Sequence, residues 1–188
     1  MNHAVSKGCT LGVGGVGGQG VLTLGKMLAE AGMTHYRNVL WFPNYGASMR
    51  GGESECLVVL SDEEISSPIV HHPQDAILMD SLFNEIYQKK VKPGGRLIID
   101  SSVIERETIK RDDITVYSVP ATEIALELGS MQVSNMVLLG SYIELSDVVS
   151  IDTIDEFLES KFRGTRHEKL IDLNKEAIRR GRDSLTKT

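Results

Sequence analysis

The sequence is poor in cysteine: among 188 residues there are only Cys9 and Cys56. Two thiols 47 positions apart make no disulfide framework, so stability has to come from a packed core. No apolar run approaches the ~18 residues that span a bilayer, and Met1–Lys7 holds no stretch of signal-peptide length. A soluble, cytoplasmic protein with no membrane partner is expected. Excess positive charge is also missing. The net charge is −6, which argues against a nucleic-acid binder. The fourth shortage is local: no acid occurs between Ala31 and Gly52.

What is present is uneven. Residues 1–52 hold 12 of the 18 glycines and carry a net charge of +3, while the other 136 residues carry −9. With 41% apolar and 24% charged residues, the chain is neither disordered nor collagenous and can build a core.

Apolar runs alternate with helix-like segments through residue 119. Strands are expected at Cys9–Val13, Val39–Phe42, Cys56–Leu60, Ala76–Met79, Leu97–Ile99 and Ile114–Val119. Helices are expected at Val21–Tyr36 and over 81–90, the latter ended by Lys92-Pro93-Gly94-Gly95. After Pro120 the pattern turns helical: Ala121–Leu128, Asn135–Leu145, Ile154–Phe162 and His167–Gly181. The expectation is one domain over 1–188, with a β/α sheet core over 1–119 and a mainly helical part over 120–188. Its fold class is α/β: a three-layer, Rossmann-like, mostly parallel sheet with helices on both faces. About a dozen residues separate Phe42 from Cys56. That is short for a parallel crossover, so a hairpin-like return or a very short helix is expected there.

Gly15-Val16-Gly17-Gly18-Gln19-Gly20 matches G-x-G-x-x-G between a predicted strand and a predicted helix. Gly15, Gly17, Gly18, Gln19 and Gly20 are the candidate cofactor-binding residues. Glycines permit a tight turn and close approach of an anion to the free N–H groups at the helix start. The alternative is a strand-to-helix turn and nothing more. A dinucleotide site also wants an acid at the end of the second strand, where this chain has none. The same lack weakens an S-adenosylmethionine reading, and Pro93-Gly94-Gly95 reads as a helix-to-strand turn. Gly20 to Lys26 nearly makes a nucleoside-triphosphate loop, but Met27 stands where a Mg²⁺-holding hydroxyl is needed, so Lys26 reads as a solvent-facing helix residue.

A second loop, Pro43-Asn44-Tyr45-Gly46-Ala47-Ser48-Met49-Arg50-Gly51-Gly52, sets an arginine among glycines. A guanidinium fork there suits a carboxylate or a phosphate, or holds the loop's own carbonyls. His71-His72 reads as surface loop, His35 and His167 stand alone, and no metal site is expected. Asp80 and Asp100 read as strand-end caps. The arginines 163, 166, 179, 180 and 182 read as solvated or helix-end charges.

Taken together, Gly15–Val21, Tyr45-Gly46, Arg50-Gly51-Gly52, Ile65-Ser66-Ser67-Pro68, Lys92–Gly95, Asn135–Gly140 and Asn174–Gly181 resemble the gamma subunits of the 2-oxoacid:ferredoxin oxidoreductases. The ordered set covers nearly the whole chain. Members often carry an acid where this chain has Ser48. The resemblance implies a subunit with no catalytic residues of its own, in a heterotetramer with alpha, beta and delta-type (ferredoxin-like) partners. The complex would use thiamine diphosphate, coenzyme A and iron–sulfur clusters. It would convert a 2-oxoacid to acyl-CoA and CO₂ and reduce ferredoxin. The 2-oxoglutarate branch is favoured over the pyruvate, 2-oxoisovalerate and indolepyruvate branches. Two thiols cannot ligate a cluster alone, so no cofactor is expected to be held firmly by this chain. Asn44, Tyr45, Gly46, Ser48, Arg50, Gly51 and Gly52 are the candidate partner or coenzyme A loop. The alternatives are a stand-alone NAD(P)- or S-adenosylmethionine-dependent enzyme and a non-catalytic interaction module.

Overall fold

The computed structural model describes residues 8–45, 51–67 and 70–188. Seven strands make one mixed sheet in the order β2-β3-β1-β4-β5-β6-β7. Its centre is parallel: β1 (Gly8–Val16), β4 (Asp75–Leu78), β5 (Arg96–Asp100) and β6 (Thr115–Val119) run side by side. Its two ends are antiparallel. At one end β3 (Glu53–Ser61) pairs with both β1 and β2 (Asn38–Tyr45). At the other, the two-residue β7 (Thr186–Lys187) pairs with β6. The link after β2 is thus the hairpin-like return expected from its length, and the mostly parallel expectation holds for the centre of the sheet.

Side chains alternate along each strand and sort into two apolar layers. Ile77, Met79 and Ile98 face one layer with Leu11, Val13, Val58 and Leu60. That layer holds α1 (Val21–Gly32), α3 (Ala121–Glu127), α4 (Ser134–Ser146), α5 (Ile151–Phe162) and α6 (Ile171–Ser184). Ala76, Leu78, Leu97, Ile99 and Val116 face the other layer. It is closed by Phe83, Tyr87 and Val91 of the α2 region (α2, Asn84–Lys90) and by Ile104, Ile109 and Ile114 of the β5–β6 connection.

Several expected boundaries move, among them the starts of β3, α5 and α6, and three others show most plainly what moved them. β1 runs on to Val16 because β3 supplies an antiparallel partner as far as Glu53. β2 continues through Pro43 to Tyr45. It is an edge strand, where a residue lacking an N–H costs no ladder bond. α1 stops at Gly32, and Met33–His35 form a turn whose N–H groups reach back to Ala29–Gly32 carbonyls.

Helix α4 is the centre of its layer. Every residue from Ser134 to Ile143 is buried, as befits a helix apolar on nearly all sides. It touches α6 backbone to backbone. A Cβ on Gly181 would lie 1.8 Å from the Val137 carbonyl oxygen, and one on Gly140 2.0 Å from that of Ile178. Ser141 Oγ bridges the contact, donating to the Gly181 carbonyl at 2.8 Å. At the far end of α4, Arg96 grips buried Asp75 with two 2.6 Å bonds and donates to the Leu145 carbonyl at 2.9 Å. Tyr142 donates to the same carboxylate at 3.2 Å.

Gly181→Ala should therefore destabilise the protein by about 3 kcal/mol, because backbone has to move to admit one methyl group. Urea unfolding followed by circular dichroism measures this. A midpoint within error of the parent would show that the helices separate at no cost.

Candidate functional site

The site is built where β1 turns into α1. Gly15 and Val16 are still in the strand, and Gly17 to Gly20 make the turn. Gly18 (φ 109°) and Gly20 (φ 81°) take left-handed backbone values that side-chain-bearing residues rarely adopt. Gly20 also has Asn135 against it: a Cβ would lie 2.3 Å from Asn135 Nδ2, which donates to the Gly20 carbonyl at 3.2 Å. The Asn135 Oδ1 is buried with no partner among the described residues.

Helix α1 starts with no side-chain cap and no acid in its first turn. The first internal bond runs from Leu24 N to the Gly20 carbonyl at 2.9 Å. The N–H groups of Val21, Leu22 and Thr23 precede it and have no intrahelical acceptor. Together with the helix dipole they favour an anion, by about 0.3–2 kcal/mol for the dipole alone. They border a groove of about 760 Å³ between the glycine turn, the first turn of α1, and Trp41, Pro43, Glu53 and Ser54 of the β2–β3 hairpin.

The two glycine-rich segments meet here. Gly17 N donates to the Gly52 carbonyl at 2.8 Å, and Gly51 N to the Gly17 carbonyl at 3.3 Å. Gln19 lies across the turn. Its Oε1 accepts from Val16 N at 2.8 Å, and its Nε2 donates to the Met79 carbonyl at 3.3 Å and to Asp80 Oδ2 at 3.0 Å. Asn44 is carried to the opposite face of the sheet, where Nδ2 donates to Glu55 Oε1 at 2.7 Å. Of the remaining candidates, Gly46, Ser48, Arg50 and the Tyr45 side chain lie outside the described residues.

Two groove residues escaped the linear reading. Glu53 sits one position past the acid-free window. It stands beside the end of β1 because β3, not β2, is the neighbouring strand. Trp41 belongs to an edge strand, and only the packing of α1 shows that it borders the turn. Lys26 lies over its ring at 5.7 Å and is half exposed, as a solvent-facing residue should be.

The other candidate chemistry resolves into structure. Asp80 caps the turn after β4, accepting from Leu82 N at 3.0 Å. Asp100 accepts from Ala121 N, Thr122 N and Thr122 Oγ1 at the start of α3. Arg163, Arg179, Arg180 and Arg182 pair with acids at the surface. Burial pushes the Cys56 thiol up to about 12 and the Cys9 thiol to about 11, so both stay protonated at neutral pH. Among the described residues no cluster of His, Cys, Asp or Glu could hold a metal ion, and no helix is long and apolar enough to cross a membrane.

Behind the hairpin is a smaller cavity of about 240 Å³. Glu55 at its wall accepts from Tyr87 Oη and from Lys90 Nζ, the latter at 2.6 Å, as well as from Asn44. Burial raises the Glu55 pKa, but these donors outweigh it and hold the carboxyl below its ordinary value of 4.5.

The sequence profile of the pyruvate ferredoxin/flavodoxin oxidoreductase family matches residues 10–184. The ketoisovalerate oxidoreductase subunit VorA of Methanothermobacter marburgensis is 32% identical over 172 residues, covering 91% of this chain. The chain spans about a third (35%) of that relative's length. The 2-oxoglutarate synthase subunit KorC of Methanocaldococcus jannaschii is 30% identical over 86% of this chain and 88% of its own. The crystal structure of the pyruvate oxidoreductase subunit PORC of Thermotoga maritima superposes with a TM-score of 0.81. It is 25% identical and covers 97% of this chain and 99% of its own. The 2-oxoglutarate:ferredoxin oxidoreductase of Magnetococcus marinus, solved with 2-oxoglutarate, coenzyme A and succinyl-CoA bound, gives 0.85 at 27% identity, over 97% of this chain and 32% of that one.

The Glu55 cluster makes stability pH-dependent in a stated direction. A carboxyl whose folded pKa is depressed stabilises the fold above its unfolded value, near 4.5, and loses that contribution as pH falls through the lower folded value. Glu55→Gln should flatten the fall in melting temperature below about pH 4.5. Parallel acid profiles for parent and variant would exclude the contribution.

Proposed function

The chain belongs to the pyruvate ferredoxin/flavodoxin oxidoreductase family, and on that premise we propose that it acts as the gamma subunit of a cytoplasmic 2-oxoacid:ferredoxin oxidoreductase. The observation that carries the reading is the match over residues 10–184, which includes both glycine-rich segments. Its assembly is a heterotetramer with alpha, beta and delta-type, ferredoxin-like subunits, and the chain serves as one gamma domain. The iron–sulfur clusters belong to those partners, since this chain brings only two thiols, both buried and protonated, and thiamine diphosphate is assigned to the partners with them. Bound there, these groups would supply the decarboxylation chemistry and the electron path to ferredoxin.

The contribution of this chain is a place for coenzyme A. The free N–H groups of Val21, Leu22 and Thr23 donate to a phosphate, with Gly17, Gly18 and Gly20 letting it approach the backbone. The Gly17 bonds bring Gly51 and Gly52, the end of the second loop, to the same spot. Arg50, next to them in sequence, supplies a fork for a further phosphate or for a partner carboxylate. Binding in this way orients the coenzyme; no proton or electron moves on this chain.

Among substrates, 2-oxoglutarate is the reading we favour. It is supported by the Pro43–Gly52 loop and by the KorC relative, which matches nearly from end to end. A reconstituted complex should turn over 2-oxoglutarate with a kcat/KM at least tenfold above pyruvate, 2-oxoisovalerate or indolepyruvate; a preference for any of these would move the chain to another branch.

On this reading Arg50→Ala removes a charged hydrogen bond to coenzyme A or to a partner carboxylate, worth about 1.5–3 kcal/mol. It should raise the KM for coenzyme A roughly tenfold or more, or weaken assembly on size exclusion. Unchanged assembly together with unchanged coenzyme A kinetics would rule out the loop's role.

A further inference from the structure

We propose that Gln19 sets the class of ligand this fold accepts by closing one half of its nucleotide crevice. From β1 the chain winds first to one side, through α1 to β2 and β3, and then to the other, to β4 and β5. α1 lies on one face of the sheet and α2 on the other. In an open α/β sheet that reversal leaves a crevice at the carboxyl ends of the strands, and a dinucleotide lies across it. One half of such a ligand sits on the hairpin side of the glycine turn. The other extends over the gap between β1 and β4.

In this protein that gap is filled. The Gln19 amide spans it, joining Val16 of β1 to Met79 and Asp80 at the end of β4. Its acceptor and both its donor hydrogens are used, so it gains nothing by turning aside for a ligand. Gly15 makes the fit possible: a Cβ there would lie 2.6 Å from Gln19 Oε1 and 3.0 Å from Met79 Cβ. The barrier is electrostatic as well as steric. Asp80 places a carboxylate in the gap, held on its other oxygen by Leu82 N, and this carboxylate repels a second phosphate. On the hairpin side the free N–H groups of α1 and the groove remain open. The fold therefore admits a nucleotide from one side and refuses a dinucleotide across both. This inference rests on the reading that the groove takes a nucleotide, but not on which coenzyme that is.

Isothermal titration of the full chain with NADH and with ADP tests it. The double variant Gln19→Ala, Asp80→Asn should gain at least tenfold in NADH affinity over the parent, with ADP affinity unchanged within threefold. A folded double variant with no gain for NADH overturns the proposal, as does a parent that binds NADH tenfold more tightly than ADP. A readout on the parent needs no variant. The Gln19 side-chain NH₂ protons should exchange with solvent at least a hundredfold more slowly than those of a free amide, and exchange at the free rate overturns the proposal equally.

Discussion

Helix α4 is the element on which the glycine turn depends. It is buried on nearly every side, and its place is set by backbone contact with α6 at Gly140 and Gly181. Such contact leaves no slack, because neither backbone can yield without breaking helical bonds. The first residues of α4 then meet the site. Asn135 is held against Gly20, and Gly20 starts α1. The orientation of the free N–H groups thus traces back to a helix pair on one side of the sheet. At its other end, α4 is tied to the parallel strands through Leu145, Arg96 and Asp75.

The sheet explains why the glycine motif has an unusual setting. In a doubly wound sheet the strand after the first crossover lies next to β1, and its end carries the acid that reads a ribose. Here β3 is inserted antiparallel between them. The end of β2 is moved one strand further away, by about 4.8 Å, and the start of β3 takes its place with Glu53. The same hairpin brings Gly51 and Gly52 to Gly17, so two segments more than thirty residues apart share one hydrogen-bonded corner. On the far side of β1 the Gln19 amide joins the turn to β4. One short turn is therefore fixed from three directions: by the hairpin, by α4 and by the end of β4.

Much of this was legible in the chain. The β/α alternation, the helical C-terminal part and the return between Phe42 and Cys56 all follow from apolar spacing and loop length. So do the capping roles of Asp80 and Asp100, since a carboxylate at a strand end has backbone N–H groups within reach. Less legible was anything set by pairing across the sheet. Pro43 reads as a strand breaker until β2 is known to be an edge. Gln19 reads as a ligand-facing residue until the end of β4 is placed beside it. Asn44 reads as part of the same loop as Arg50, yet strand alternation sends its side chain through to the other face.

The linear chain already marks most of its elements, its acid-free stretch and its glycine-rich segments, though not the short strand β7. These are local properties: periodicity, turn chemistry and charge count act within a few residues of one another. What several of the glycines are for appears only once the chain is folded. Gly181 and Gly140 admit a neighbouring helix, Gly20 admits Asn135, and Gly15 admits the Gln19 amide. A missing side chain has meaning only through what fills its space, and in each case but one that neighbour comes from a distant part of the chain. The exception, Gln19, is four residues away, and even its role depends on β4.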